Sequence, residues 1–260
     1  MKNKFFSVLF IFFALSTSVF AEDLRFVQID GLGFNSTPES EQRLDKIITE
    51  VNRQKNVSFV VFSGNNISKP KRNDLEAFVK QAKKINVPVY IVLGQKDVNK
   101  QKDLGKADYM KIVGKNLRTH KKIESPNYVF EKKGLVFIVL DGSKEVIPTS
   151  MGYYKPDVVK WLDEQLTLNA DKNVIILQHY PIIPPCEKEM RYTAKPENYL
   201  KTLAKHKNVK AIVAGHFGVN NEIDFNGVKH ISTADAPVYR VFDVLDCDTK
   251  TPEIWSIIKE

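Results

Sequence analysis

Leu44, Ile47, Ile48 and Val51 fall at i, i+3, i+4 and i+7, the apolar stripe of a helix. Thr37 precedes the stripe as a helix N-cap, and Pro38 stands at the first helical position, where its missing N–H costs nothing. A second stripe, Leu75, Phe78, Val79 and Ala82, predicts another amphipathic helix. Strands are expected at 24–29, 57–62 and 87–93, alternating with these helices, and the run at 57–62 is of the kind covered on both faces. Strands and helices in this alternation predict right-handed crossovers and a largely parallel sheet.

The pattern then changes. Residues 103–117 predict a helix, and 128–130 with 135–140 predict a hairpin around Glu131-Lys132-Lys133-Gly134. Residues 156–168 predict a helix with Val158, Trp161, Leu162 and Leu166 inward. Further on come a strand at 174–177, a helix at 196–206 and a strand at 209–214. Short strands are expected around Ile223 and at 228–232, 239–244 and 253–258. This order fits an α/β fold of two mixed β-sheets packed as a sandwich and flanked by α-helices. No linker divides residues 22–260, which are expected to form one domain.

The N-terminus departs from this pattern. Lys2 and Lys4 precede an apolar run at 5–15, and small residues lead to Val19-Phe20-Ala21. That is the layout of a secretory signal peptide over residues 1–21, with export to the periplasm or the medium expected. The competing reading, a membrane anchor, needs a longer run: about 20 apolar residues span a bilayer. Glu22 follows the expected cut where a lipoprotein would carry cysteine.

Removing residues 1–21 takes away two lysines and no acid, so the net charge falls from +8 to +6. The excess is scattered, as in Lys69-Pro70-Lys71-Arg72 and His120-Lys121-Lys122. A solvated surface is the plain reading, and attraction to anionic ligands or membrane surfaces the alternative. No aromatic–basic array suggests a nucleic-acid partner. Cys186 and Cys247 lie far apart in sequence; export would permit a disulfide, but two residues do not decide between a bridge and two separate thiols.

Ligands of α/β sheets bind outside the carboxyl ends of the strands. Those loops read Asp30-Gly31-Leu32-Gly33, Ser63-Gly64-Asn65-Asn66, Gly94-Gln95-Lys96-Asp97, Gln178-His179-Tyr180-Pro181 and Gly215-His216-Phe217-Gly218. Five such loops in this order resemble the motifs of the calcineurin-like metallophosphoesterases. That family carries Asp-x-His, Gly-Asp, Gly-Asn-His-Asp/Glu, a His often followed by Pro, and Gly-His-x-His. The run Trp161-Leu162 and the turn Asn226-Gly227-Val228 extend the resemblance over nearly the whole chain after residue 21.

The resemblance implies hydrolysis of phosphate esters by two divalent ions that bind phosphate and activate a bridging hydroxide. It also implies that most of the metal ligands have been replaced. Asp30 matches the first aspartate if one residue is deleted before it, and its partner histidine is gone, to Leu32 or Gly33. The bridging aspartate is Asn65, the Asn-His pair is Gln95-Lys96, and the last histidine is Gly218. The metal set left over is Asp30, Asn65, Gln95, His179 and His216. It lacks the charge to hold two cations, so at most one weakly bound manganese, iron or zinc ion is expected.

Lys96 replaces the family's general acid; its ammonium would repel a cation and attract a phosphate or carboxylate. Lys96, Asn65 and Asn66 are therefore the expected ligand-binding residues, for a phosphate-containing or other anionic small molecule. His179, His216 and Lys96 would carry any surviving catalysis. His120, His206 and His230 fall outside the motifs, and Asp141 before Gly142 is expected to cap a turn. No Gly-x-Ser-x-Gly elbow, phosphate-binding Gly-rich loop or Cys-x-x-Cys pair offers another chemistry. Three functions remain open: a hydrolase of reduced activity, a non-catalytic protein that binds an anion in the old cleft, and an envelope interaction module.

Overall fold

A computed structural model describes residues 23–117, 123–188, 190–247 and 249–260. The expected signal segment at 1–21 and the basic stretch at 120–122 lie outside the described residues. The first part of the chain runs β1 (Leu24–Ile29), α1 (Pro38–Arg53), β2 (Val57–Phe62), α2 (Arg72–Ala82), β3 (Val89–Ile91) and α3 (Lys106–Asn116). There follow β4 (Tyr128–Lys132), β5 (Leu135–Leu140), α4 (Pro156–Leu168), β6 (Val174–Gln178), α5 (Glu197–Lys205) and β7 (Val209–Ala214). Four strands close the chain: β8 (Asn221–Phe225), β9 (Val228–Ser232), β10 (Tyr239–Leu245) and β11 (Glu253–Lys259).

The strands form two mixed sheets, ordered β11-β10-β1-β2-β3 and β4-β5-β6-β7-β9-β8. The parallel strands are β1-β2-β3, which end the first sheet at β3, and β5-β6-β7-β9, which have an antiparallel strand on each side. The largely parallel sheet read from the first half is therefore one end of a mixed one. Hairpins β10–β11, β4–β5 and β8–β9 supply the antiparallel margins.

The inner faces of the two sheets meet over aromatic side chains. Phe26 stacks between Phe59 and Phe242, at 4.9 and 4.5 Å between ring centroids. Phe137 of the second sheet meets Phe59 edge-on at 4.9 Å. Such pairs add roughly 0.5–1.5 kcal/mol each to the burial of their area. A second apolar layer, including Leu162, Leu166, Ile176 and Tyr199, lies beneath α4 and α5 on the outer face of the second sheet.

Helix α1 forms as its sequence dictates: the Thr37 hydroxyl accepts from the Ser40 N–H, the Ser40 hydroxyl accepts from the Thr37 N–H, and Leu44, Ile47, Ile48 and Val51 are buried. Strand β3 is shorter than expected because Pro88 has no N–H to give the ladder; its carbonyl accepts from Val60 instead (2.9 Å). Helix α3 starts after Gly105, later than expected; Asp103 lies ahead of it, its carboxylate accepting from the N–H of Arg72 at the start of α2 (2.7 Å). On α4 the buried stripe is Val159, Leu162 and Leu166, while Val158 and Trp161 are half-buried at its border.

Cys186 and Cys247 are both free thiols, and the Cys247 thiol donates to the Val244 carbonyl. Asp141 caps the turn as expected, accepting from the Ser143 N–H and hydroxyl and also from the Lys106 ammonium. No helix among the described residues is long and apolar enough to cross a membrane.

Candidate functional site

The loops after β1, β2, β3, β6 and β7 converge at the carboxyl ends of the parallel strands. At their centre is Asp30, fully buried. Its Oδ1 accepts from the Ser63 hydroxyl at 2.8 Å and lies 3.3 Å from His179 Nδ1, and its Oδ2 accepts from the His216 backbone N–H at 2.8 Å. Gly215 is required beside it: a Cβ there would lie 1.9 Å from the Asp30 carboxyl carbon.

His179 is also fully buried. Its Nδ1 lies 2.8 Å from the Ser63 carbonyl, an acceptor only, so Nδ1 carries a proton. Nε2 faces Gln95 Oε1 at 3.1 Å. Burial opposes the charged imidazolium, but the charge and hydrogen bond of Asp30, the Ser63 carbonyl and the charge of Asp97 together raise the His179 pKa. When protonated, the ring donates from both nitrogens and pairs with the Asp30 carboxylate.

His216 is held differently. Its ring packs 4.9 Å from that of His179 and 4.8 Å from that of Tyr180, and neither ring nitrogen has a hydrogen-bond partner among the described residues. Burial, then the charge of His179, pushes its pKa down to about 2, so it is neutral. Its backbone φ of 71° is left-handed, as is that of Asn65 at 52°. Asn65 Oδ1 accepts the Lys96 N–H at 3.0 Å, which fixes the Gly94–Asp97 turn, and the Lys96 side chain is exposed.

Asn66 does not join this cluster. Its amide donates to the Val92 carbonyl, Asp97 Oδ2 and the Tyr109 hydroxyl, in a buried staple beneath the loops. The Asn66 amide donors are spent on packing, while its Oδ1 has no hydrogen-bond partner among the described residues. Asp97 also accepts from the Gly94 and Ile67 N–H groups, yet its burial outweighs these bonds and pushes its pKa up to about 6.

Three contributors escaped sequence reasoning. Gln28 donates to the Ser63 hydroxyl and the Ala214 carbonyl and accepts from Thr233, joining the two sheets under Asp30. A polar residue inside an apolar strand was the available signal. Arg191 donates to the His216 carbonyl at 2.7 Å. Asp235, in the β9–β10 loop, lies against the cluster: a Cβ on Gly31, whose φ is 58°, would fall 2.2 Å from Asp235 Oδ1. Partial burial and the charge of Asp30 push the Asp235 carboxyl up, against the pull of His179, Lys96 and Arg191. No local pattern marks Asp235; a long-range bridge to Asp30 brings it in.

A two-metal centre needs carboxylate oxygens able to bridge cations. Here both oxygens of the buried carboxylate already accept donors, the Asn65 oxygen holds the Lys96 N–H, and Gln95 Oε1 faces His179. Among the described residues, no group of three or more His, Cys, Asp or Glu is placed to hold a metal ion. His179, whose surroundings favour its protonated form, and the nearby Lys96 ammonium oppose positive charge where two cations would have to sit. The residues present do not fit the dinuclear group. The His216 ring nitrogens and the adjacent Tyr180 hydroxyl are buried without a hydrogen bond of good geometry among the described residues, although the Ser150 and Arg191 backbone lies near enough to act on the His216 ring.

Comparison with known proteins bears on the same loops. The family model for calcineurin-like phosphoesterases matches residues 35–220. A dimetal phosphatase of Danio rerio has a similar structure, with a TM-score of 0.67 and 17% identity over 90% of this chain and 98% of that one. GAP50, the anchor in the inner membrane complex of Plasmodium, aligns at a TM-score of 0.58 and 20% identity over 86% and 83% of the two chains. TT1561 of Thermus thermophilus aligns at a TM-score of 0.63 and 13% identity over 90% and 99%. No curated protein is matched significantly by the sequence.

Proposed function

The chain belongs to the calcineurin-like phosphoesterase family, and from that membership we propose a member whose hydrolytic centre has become a structural ion pair, leaving an exported, non-catalytic protein that binds a phosphate-bearing or other anionic small molecule. One observation carries the reading: the Asp30 carboxylate is closed to solvent and saturated by Ser63, His179 and His216. Imidazolium takes the role of counter-charge that a cation has in the family's chemistry.

The ligand reading rests on the rim. Lys96 is exposed on a turn whose backbone Asn65 holds, and Arg191 is anchored by the His216 carbonyl. Both act electrostatically on Asp235, against the burial that pushes its carboxyl up. An ammonium and a guanidinium suit phosphate as point charge and fork. GAP50, of the same fold, is an anchor, which supports a binding role for the scaffold. Export is supported by Lys2, Lys4, the apolar run and Ala21.

A second reading, one weakly held manganese, iron or zinc ion, is favoured by His216 alone, because a neutral imidazole with free nitrogens is a metal donor. One experiment separates the two. The purified protein is loaded with each metal and desalted; its metal content is measured, with hydrolysis of a generic phosphodiester, beside His179→Ala/His216→Ala. Substoichiometric metal and turnover no higher than the control are expected. One tightly held ion with turnover lost in the control would overturn the proposal.

A further inference from the structure

Two sheets leave four edge strands, and three of them are protected in ordinary ways. Strand β3 is three residues long, β4 carries Glu131 and Lys132, and β8 carries Glu222 and Asp224. The fourth, β11, has seven residues in unbroken register with β10, with no proline, glycine or bulge. Trp255, Ile257 and Ile258 on it are 61%, 51% and 42% exposed. An apolar edge of this length presents unpaired backbone donors and acceptors to any strand that matches it.

The sequence of β11 matches itself. Run antiparallel to a second copy about an axis through Ser256, Glu253 faces Lys259, Ile254 faces Ile258, and Trp255 faces Ile257. Alternation puts the charged and Trp–Ile pairs on one face. Ile254, Ser256 and Ile258 share the other, where Ile254 packs on the core and Ser256 bonds Arg240 and Glu222. Neither Glu253 nor Lys259 has an ion pair among the described residues. Moving the axis by one residue destroys the match: centred on Ile257, Trp255 faces Lys259, and centred on Trp255, Glu253 faces Ile257. One register satisfies both the charges and the apolar pairs.

We propose that a second copy of the chain is the partner of this edge, giving a two-fold dimer in which β11 pairs antiparallel with β11 and the two five-stranded sheets become one. The interface is small, so dissociation in the micromolar range is expected.

The test is sedimentation velocity on the purified protein across that range, with charge reversals at each end of β11. The wild-type protein dimerises. Glu253→Lys and Lys259→Glu each turn two attractive cross-strand pairs into two repulsive ones and weaken association about tenfold or more. The double variant Glu253→Lys/Lys259→Glu restores it, and an equimolar mixture of the two single variants forms a heterodimer. Circular dichroism identical to wild type shows that each variant is folded. A monomer at every concentration overturns the proposal, whether the edge is empty or covered by another segment. A dimer indifferent to both single reversals overturns it equally, because the copies then meet elsewhere.

Discussion

Replacing Asp30 by asparagine tests directly whether the former catalytic centre now holds the fold together. The substitution keeps the shape and one oxygen, and turns the other oxygen into an amide that must face a donor. Three groups depend on the carboxylate: the Ser63 hydroxyl, the His216 N–H and the His179 ring. All lie in a site closed to water, so none can turn to solvent for a substitute. Breaking a buried, hydrogen-bonded pair by removing one partner costs about 3–5 kcal/mol. In a domain of this size each kcal/mol lowers Tm by about 2–4 °C, so a fall of roughly 10 °C is expected. Urea denaturation followed by tryptophan fluorescence gives the free energy, and the double variant with His179→Gln closes a thermodynamic cycle. The coupling between the two positions should exceed about 1 kcal/mol. An Asp30→Asn protein within about 0.5 kcal/mol of wild type, or more stable than it, would refute the reasoning. Sites kept for chemistry behave that way, because stability has been surrendered to activity.

Other outcomes follow from the same geometry. Burial pushes the His230 pKa down to about 4, below its unfolded value near 6.5, so the unfolded chain takes up a proton first as pH falls. The stability due to the neutral ring is present above pH 6.5 and is lost towards pH 4. Between pH 7 and 5 wild type should therefore lose about 1–2 kcal/mol more than His230→Gln, measured by urea midpoints; equal losses would contradict the assignment. Asp235 opposes an anion at the Lys96–Arg191 rim. Asp235→Asn should therefore tighten inorganic phosphate binding severalfold in calorimetry, and Lys96→Ala should weaken it, both effects shrinking at high salt. Protein recovered from an exporting host should begin at Glu22 by N-terminal sequencing; an intact Met1 would remove the export proposal.

The fold was legible wherever local pattern and tertiary packing agree. The stripe on α1 and its Thr37-Pro38 start needed no partner to be recognised, and β2, read as covered on both faces, has its last four residues buried. The site was legible only as positions. That Asp30, His179 and His216 meet follows from the order of the strands, but that His179 bonds Asp30 directly depends on angstrom-level placement of three loops. At Asn66 the motif gives the residue's place and not the direction of its side chain, whose amide nitrogen turns to Asp97 and Tyr109. Asp235 stayed invisible because the chain between Asp30 and Asp235 contains most of the protein, and no spacing rule spans that distance.

Strand β1 lies between β2 and β10, so the strand made first must be flanked by one made almost last. Phe26 has Phe59 on one side and Phe242 on the other, the second more than two hundred residues downstream. Contacts of such separation form late, after the loop-closure cost has been met. During synthesis the first sheet therefore remains incomplete until the ribosome has released residues 239–245, and Phe26 keeps one face uncovered throughout. A nascent chain built this way stays open for nearly its whole translation time.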